Sequence, residues 1–126
     1  MDQKDAATIY REAAFENAPP IKIIRLLYQG ALRFLDRAEA EEPGGVASKY
    51  TYYLVRADTI VAELRFSLDP GHAPEVTANL EQLYLFVEER LRAAIKDGDK
   101  GHIVSARRVL ADLLSAWTQV EVSSRG

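Results

Sequence analysis

Cysteine is absent from the 126 residues. That removes any disulfide framework and any thiolate metal site, and it fits a reducing compartment. Long apolar runs are also missing: the longest, residues 83–87 (LYLFV), has five residues, against the roughly 20 that a membrane-spanning helix needs. There is no basic excess, since 16 Lys and Arg stand against 19 Asp and Glu for a net charge of −3. Nucleic acid is therefore not an expected partner. The opening stretch MDQKDAATIYREAAF is polar and lacks the apolar stretch of a signal peptide. Alternating strand patterns and Asn-Gly hairpin turns do not occur either. Together these absences point to a cytoplasmic, non-membrane, all-helical protein.

What is present is helical periodicity cut by breakers. Asn17-Ala18-Pro19-Pro20 opens a first long segment, because proline suits the first helical turn. Glu42-Pro43-Gly44-Gly45 closes it, the loop at 69–74 closes a second, and Asp97-Gly98-Asp99-Lys100-Gly101 closes a third; the fourth runs to about Val120. The first segment repeats Ile24, Leu27, Tyr28, Ala31, Leu35 and Ala38 at steps of three or four. The second repeats Leu54, Ala57, Val61, Leu64 and Leu68, and the third Leu80, Leu83, Tyr84, Val87, Leu91 and Ala94. The fourth repeats Ile103, Ala106, Val109, Leu110, Leu113, Leu114 and Trp117. Four such helices joined by short loops predict an antiparallel up-down four-helix bundle. Ahead of it, Ala6, Ile9, Tyr10, Ala13 and Ala14 predict a short accessory helix over residues 6–15. The expected organisation is one domain over 1–126, with an accessory segment 1–18, a bundle 19–121 and a polar tail 122–126.

The run at 83–87 raises a question of cover. Five consecutive apolar residues sweep about 400° of a helix, whereas a helix packed on one side needs only about 100° of apolar stripe. Leu80, Tyr84, Val87 and Leu91 form a core face, which leaves Leu85 and Phe86 roughly 120–140° away on either side of it. The second helix carries its own opposed stripe: Tyr52, Val55, Thr59, Ala62 and Phe66, at heptad-like steps. Such residues can thicken the core or sit singly on the surface. Joined across neighbouring helices, they would instead form a partner site suited to an amphipathic helix.

Catalytic patterns are not found. His72 lies in a Pro/Gly loop and His102 at a helix start, so neither forms the paired motif of a bundle metal centre, nor the exposed mid-helix site of a phosphotransfer bundle. Asp97-Gly98-Asp99 resembles the start of a calcium loop, but Arg108 occupies the position of its twelfth ligand. Asp99 is expected to cap the fourth helix. Glu88, Glu89 and the group Glu39, Glu41 and Glu42 are read as solvated, ion-paired surface with Arg37, Arg90 and Arg92. No enzyme activity, cofactor or metal is expected.

Four sets of stretches stand out: Leu26-Leu27-Tyr28-Gln29-Gly30-Ala31-Leu32; Arg56-Ala57-Asp58-Thr59-Ile60-Val61-Ala62-Glu63-Leu64 with Ser67-Leu68-Asp69; Asn79-Leu80-Glu81-Gln82-Leu83-Tyr84 with Arg90-Leu91; and Ala116-Trp117-Thr118-Gln119 after Asp99. In their order and spacing they resemble the FliS family of flagellin chaperones. The resemblance implies an antiparallel bundle that binds the C-terminal segment of flagellin, blocks premature polymerisation and, client-loaded, meets the flagellar export gate. Tyr10 is similar to a tyrosine that the family carries ahead of its bundle, so residues 1–16 are expected to shield the apolar groove until the client arrives. The expected client surface is Tyr10, Tyr52, Val55, Thr59, Ala62, Phe66, Leu85 and Phe86. The sequence departs from the family pattern at Leu85, where a polar residue is usual, at Glu88, where an apolar one is usual, and at Pro19-Pro20, which replaces Ser-Pro. The alternative reading is a self-association module whose second stripe seals a homodimer.

Overall fold

A computed structural model describes residues 20–71 and 73–125. The expected accessory helix at 6–15, Tyr10 and His72 lie outside the described residues. Four helices follow in order: α1 (Pro20–Glu39), α2 (Lys49–Phe66), α3 (Pro74–Asp97) and α4 (Gly101–Arg125). Among the described residues there is no strand.

The helix ends follow local chemistry. Pro20 and Pro74 begin α1 and α3, where the missing N–H costs nothing. Ser48 caps α2, its Oγ accepting the Thr51 N–H at 3.1 Å. At the other end of α2 the Ser67 hydroxyl donates to the Leu64 carbonyl at 2.7 Å. Gly98 closes α3 with φ at 72°, donating its N–H to the Ala94 carbonyl at 2.9 Å. Asp99 serves α4 as the sequence predicts, its Oδ1 accepting the Gly101 N–H at 2.8 Å. That last helix continues to Arg125, past the expected end near Val120.

Cross-helix contacts fix the topology. Phe34 meets Tyr53 between α1 and α2. Tyr50 reaches Ala94, and Arg65 reaches Glu88, between α2 and α3. Arg107 meets Asp36 and Glu39, while Trp117 meets Tyr28, so α4 runs opposite to α1. Each helix touches its two sequence or ring neighbours, which is the predicted up-down four-helix bundle.

The core holds the predicted stripes: Ile24, Tyr28, Ala31, Leu35 and Ala38 against Leu54, Ala57, Val61 and Leu64, and these against Tyr84, Val87, Leu91, Ala94, Ile103, Ala106 and Leu110. Alanines in every stripe let the backbones approach closely. The remaining stripe residues Leu27, Leu68, Leu80, Val109, Leu113, Leu114 and Trp117 pack against this core only partly buried, and two further positions differ from expectation. Leu83 is 37% exposed, because it lies at the α4-facing edge of the α3 stripe. Tyr50, which the predicted stripe of α2 omits, is fully buried and donates its hydroxyl to the Ala94 carbonyl at 2.8 Å. Tyr28 and Tyr84 meet hydroxyl to hydroxyl at 2.5 Å across the centre, and Trp117 Nε1 donates to Tyr28 Oη at 3.2 Å. Burial pushes both phenols up from their ordinary value, so they stay neutral.

Candidate interaction surface

The second stripe of α2 faces outward. Tyr52 is 56% exposed, Val55 47% and Phe66 65%; Thr59 is exposed and Ala62 half-buried. Thr59 donates its hydroxyl to the Val55 carbonyl at 2.9 Å, one turn back. Its polar atom is thereby satisfied within the helix, and its methyl can join the apolar row. Core thickening is thus excluded for most of the stripe.

Leu85 and Phe86 are both exposed, but they part company. Glu88, one turn beyond Leu85, is held by Arg65 of α2. Leu85 accordingly lies on the side of α3 that adjoins the α2 stripe, close to the Phe66 end. Phe86 lies on the other side: Arg90, one turn on, packs over its ring at 5.8 Å and bonds His102 of α4 at 3.1 Å. The structure therefore gathers Tyr52, Val55, Thr59, Ala62, Phe66 and Leu85 on one outer face and turns Phe86 towards α4. Tyr10 lies outside the described residues.

Beneath this face is a charge network that the sequence reading placed in solvent. Glu88 is 1% exposed. It receives Arg65 through two hydrogen bonds, Nε to Oε2 at 2.6 Å and Nη2 to Oε1 at 3.1 Å, and Arg92 at 3.5 Å. A buried carboxylate survives only with such partners. The same Arg65 guanidinium stacks 4.5 Å over the Phe66 ring, so one side chain both neutralises the buried charge and positions the most exposed aromatic. Asp58 adjoins the network, with one buried oxygen unpartnered. Burial raises its pKa and the Glu88 charge adds to the rise, while Arg92 and Arg65 oppose it. Of the other acidic positions, Glu89 pairs with Arg90, and Glu39 pairs with Arg107 rather than with Arg37.

A cleft of about 360 Å³ opens at one end of the bundle, lined by Ile24, Leu64, Leu68, Val76, Leu80 and Trp117 among others. Sequence reading assigned most of these residues to core faces. What it missed is that each stripe runs off its helix end there, leaving apolar side chains only partly covered. The chain enters α1 at this same end, at Pro20. Among the described residues no group of acidic and imidazole side chains is arranged to hold a metal, and no helix is long and apolar enough to cross a membrane.

The family model described as flagellar protein FliS matches residues 2–124. The flagellar secretion chaperone FliS of Campylobacter jejuni is 32% identical over 101 residues, covering 80% of this chain and 79% of that protein. The Salmonella typhimurium chaperone of the same name is 30% identical over 118 residues, covering 93% and 87%. That of Bacillus subtilis is 26% identical over 118 residues, covering 94% and 87%. With the family model spanning nearly its whole length, the chain belongs to the FliS family, a family of flagellar secretion chaperones and not of enzymes.

Proposed function

We propose that this chain is a cytoplasmic chaperone that binds the C-terminal segment of flagellin, prevents its premature polymerisation and escorts it to the flagellar export gate. The observation that supports this reading most is the outward apolar row on α2, continued by Leu85 on α3, in a molecule whose core is already complete without it. A row of this kind suits the apolar face of an amphipathic helix. Each few hundred Å² of apolar surface buried on docking contributes on the order of several kcal/mol, from which the ordering of the client is subtracted. Such a balance gives binding that holds in transit and still releases.

In this reading Tyr52, Val55, Thr59, Ala62, Phe66 and Leu85 contact the client along one face. Phe86 contacts it only if the client continues round α3, and Tyr10 and the rest of residues 1–16 compete with the client for apolar surface. The direct test is flagellin self-assembly followed by light scattering. Equimolar chaperone is expected to hold monomeric flagellin below the scattering threshold, and unchanged polymerisation would remove the reading. The same outward row could instead seal a homodimer. Sedimentation decides this: a monomer at the concentrations of the assay leaves the face to the client, whereas a dimer broken by Phe66→Asp assigns it to self-association.

A further inference from the structure

A second surface lies where α1 and α2 meet. Phe34 and Tyr53 stack there with ring centroids 6.2 Å apart, and both are half-buried. Arg37 lies 6.0 Å from the Tyr53 centroid, and Arg56 lies 6.0 Å from that of Phe34. Arg33 stands one turn before Arg37, and Lys49 stands two turns before Arg56 on the α1 side of α2, so four exposed cations frame two aromatic rings. None of the four makes an ion pair among the described residues. By contrast Arg65, Arg90, Arg92 and Arg107 are each paired with a carboxylate. The flanking acidic residues Glu41, Glu42 and Glu63 leave these cations unneutralised as well.

We propose that this α1–α2 face, carrying Phe34 and Tyr53 among Arg33, Arg37, Lys49 and Arg56, docks an acidic, helical segment of a partner protein. Charge complementarity selects the occupant. In a chain of net charge −3, the face is a local concentration of unpaired positive charge. Its aromatic centre takes an apolar side chain, and Arg37 and Arg56, each already lying over a ring, lose little freedom on meeting carboxylates. Cations one turn apart match carboxylates spaced three or four residues along a helix. A nucleic acid backbone fits less well, since its continuous phosphates would run from the cations onto Asp36, Glu41 and Glu42. The face adjoins the α2 row at one point, where the Tyr52 ring meets that of Tyr53 edge-on with centroids 5.5 Å apart; its cations lie on the α1 side of that row, so reversing their charge tests this face apart from the flagellin reading.

The experiment is chemical-shift mapping on the isotope-labelled full chain. The probe is a synthetic helical peptide with glutamates one turn apart beside a phenylalanine-leucine stripe; the comparison is the same peptide with lysines in place of the glutamates. Saturable shifts centred on Phe34, Arg37, Tyr53 and Arg56 are expected for the acidic peptide. The doubly reversed variant Arg33→Glu/Arg56→Glu should bind it at least about tenfold more weakly and take up the lysine peptide instead. If reversal perturbs folding, the neutral pair Arg33→Gln/Arg56→Gln should still weaken binding by about threefold or more. Absence of saturable binding, shifts centred elsewhere, or affinity indifferent to charge reversal would overturn the proposal. So would tighter occupation of the face by single-stranded DNA or by phosphatidylglycerol vesicles.

Discussion

Tyr28 accepts from Trp117 and shares a hydrogen bond with Tyr84, and the Trp117 N–H also lies within reach of the Tyr84 hydroxyl. Deleting the two hydroxyls therefore has unequal consequences. Tyr28→Phe removes both the bond to Tyr84 and the direct bond from Trp117 and should cost about 2 kcal/mol. Tyr84→Phe leaves Tyr28 with Trp117 and should cost about 1 kcal/mol. Urea unfolding of the two variants checks the ranking. The acidic residues predict opposite pH behaviour. Asp58 has a folded pKa raised above 3.8 by burial, so its ionisation opposes folding at neutral pH and the penalty fades as pH falls through that raised value. Asp58→Asn should be more stable than wild type at pH 7 and lose the advantage on acidification. Asp97 is lowered below 3.8 by the Asp99 N–H and by His102; its contribution is present above that value and disappears as pH falls through its folded pKa. Unfolding curves between pH 3 and 7 for both asparagine variants separate the two. At this scale the sequence announced that Tyr28 and Tyr84 are core but not that their hydroxyls meet. Periodicity places a residue on a face, and only the packing of a third helix decides what it touches. Glu88 shows the same limit. Its place beside Glu89 suggested solvent, yet it lies at the α2-facing edge of α3, where Arg65 from another helix makes burial tolerable.

The ends of the elements were the most legible feature, because capping chemistry is local. Proline at helix starts, Gly98 at the α3 terminus and Asp99 ahead of α4 all act within a few residues of themselves. Gly98 tests this directly. A Cβ there would stand 3.2 Å from the Pro43 Cβ, on a backbone with φ of 72°, so Gly98→Ala should cost about 1–2 kcal/mol. Gly45→Ala meets nothing within 4 Å and should change stability by no more than about 0.5 kcal/mol. Ala73 is the converse case: it holds φ at 48° without being glycine, and Ala73→Gly should stabilise by about 0.5–1 kcal/mol. Thermal melts of the three variants decide all of these. Between elements, the Arg65–Glu88 pair joins α2 to α3. Glu88→Leu alone strands a partly buried guanidinium and should cost about 3 kcal/mol, whereas Arg65→Met/Glu88→Leu together should recover most of the loss. If the double variant is no better than the single one, the pair is not what joins these helices there.

At the scale of the molecule, the bundle was readable because short connections leave antiparallel neighbours as the only economical arrangement, and the breakers marked those connections. The outward row on α2 was readable for the same reason as the core: it has its own helical period. Joining Leu85 to that row and turning Phe86 from it was not, since an angle on an isolated helical wheel does not say which neighbour stands on each side. The end cleft was hidden likewise, because core periodicity continues past the point where the bundle stops covering it. The account turns on the α2 row and Leu85 being a client surface rather than incidental apolar area. The most direct measurement is titration of the full chain, and of Phe66→Asp and Leu85→Asp, with a flagellin C-terminal peptide of about 40 residues, a length sufficient to wrap an extended groove. Tight binding by the wild type, weakened at least about tenfold in both variants while circular dichroism stays helical, is the predicted result. Affinity unchanged in both variants would contradict the placement of the site, and no binding to the peptide by the wild type would contradict the function.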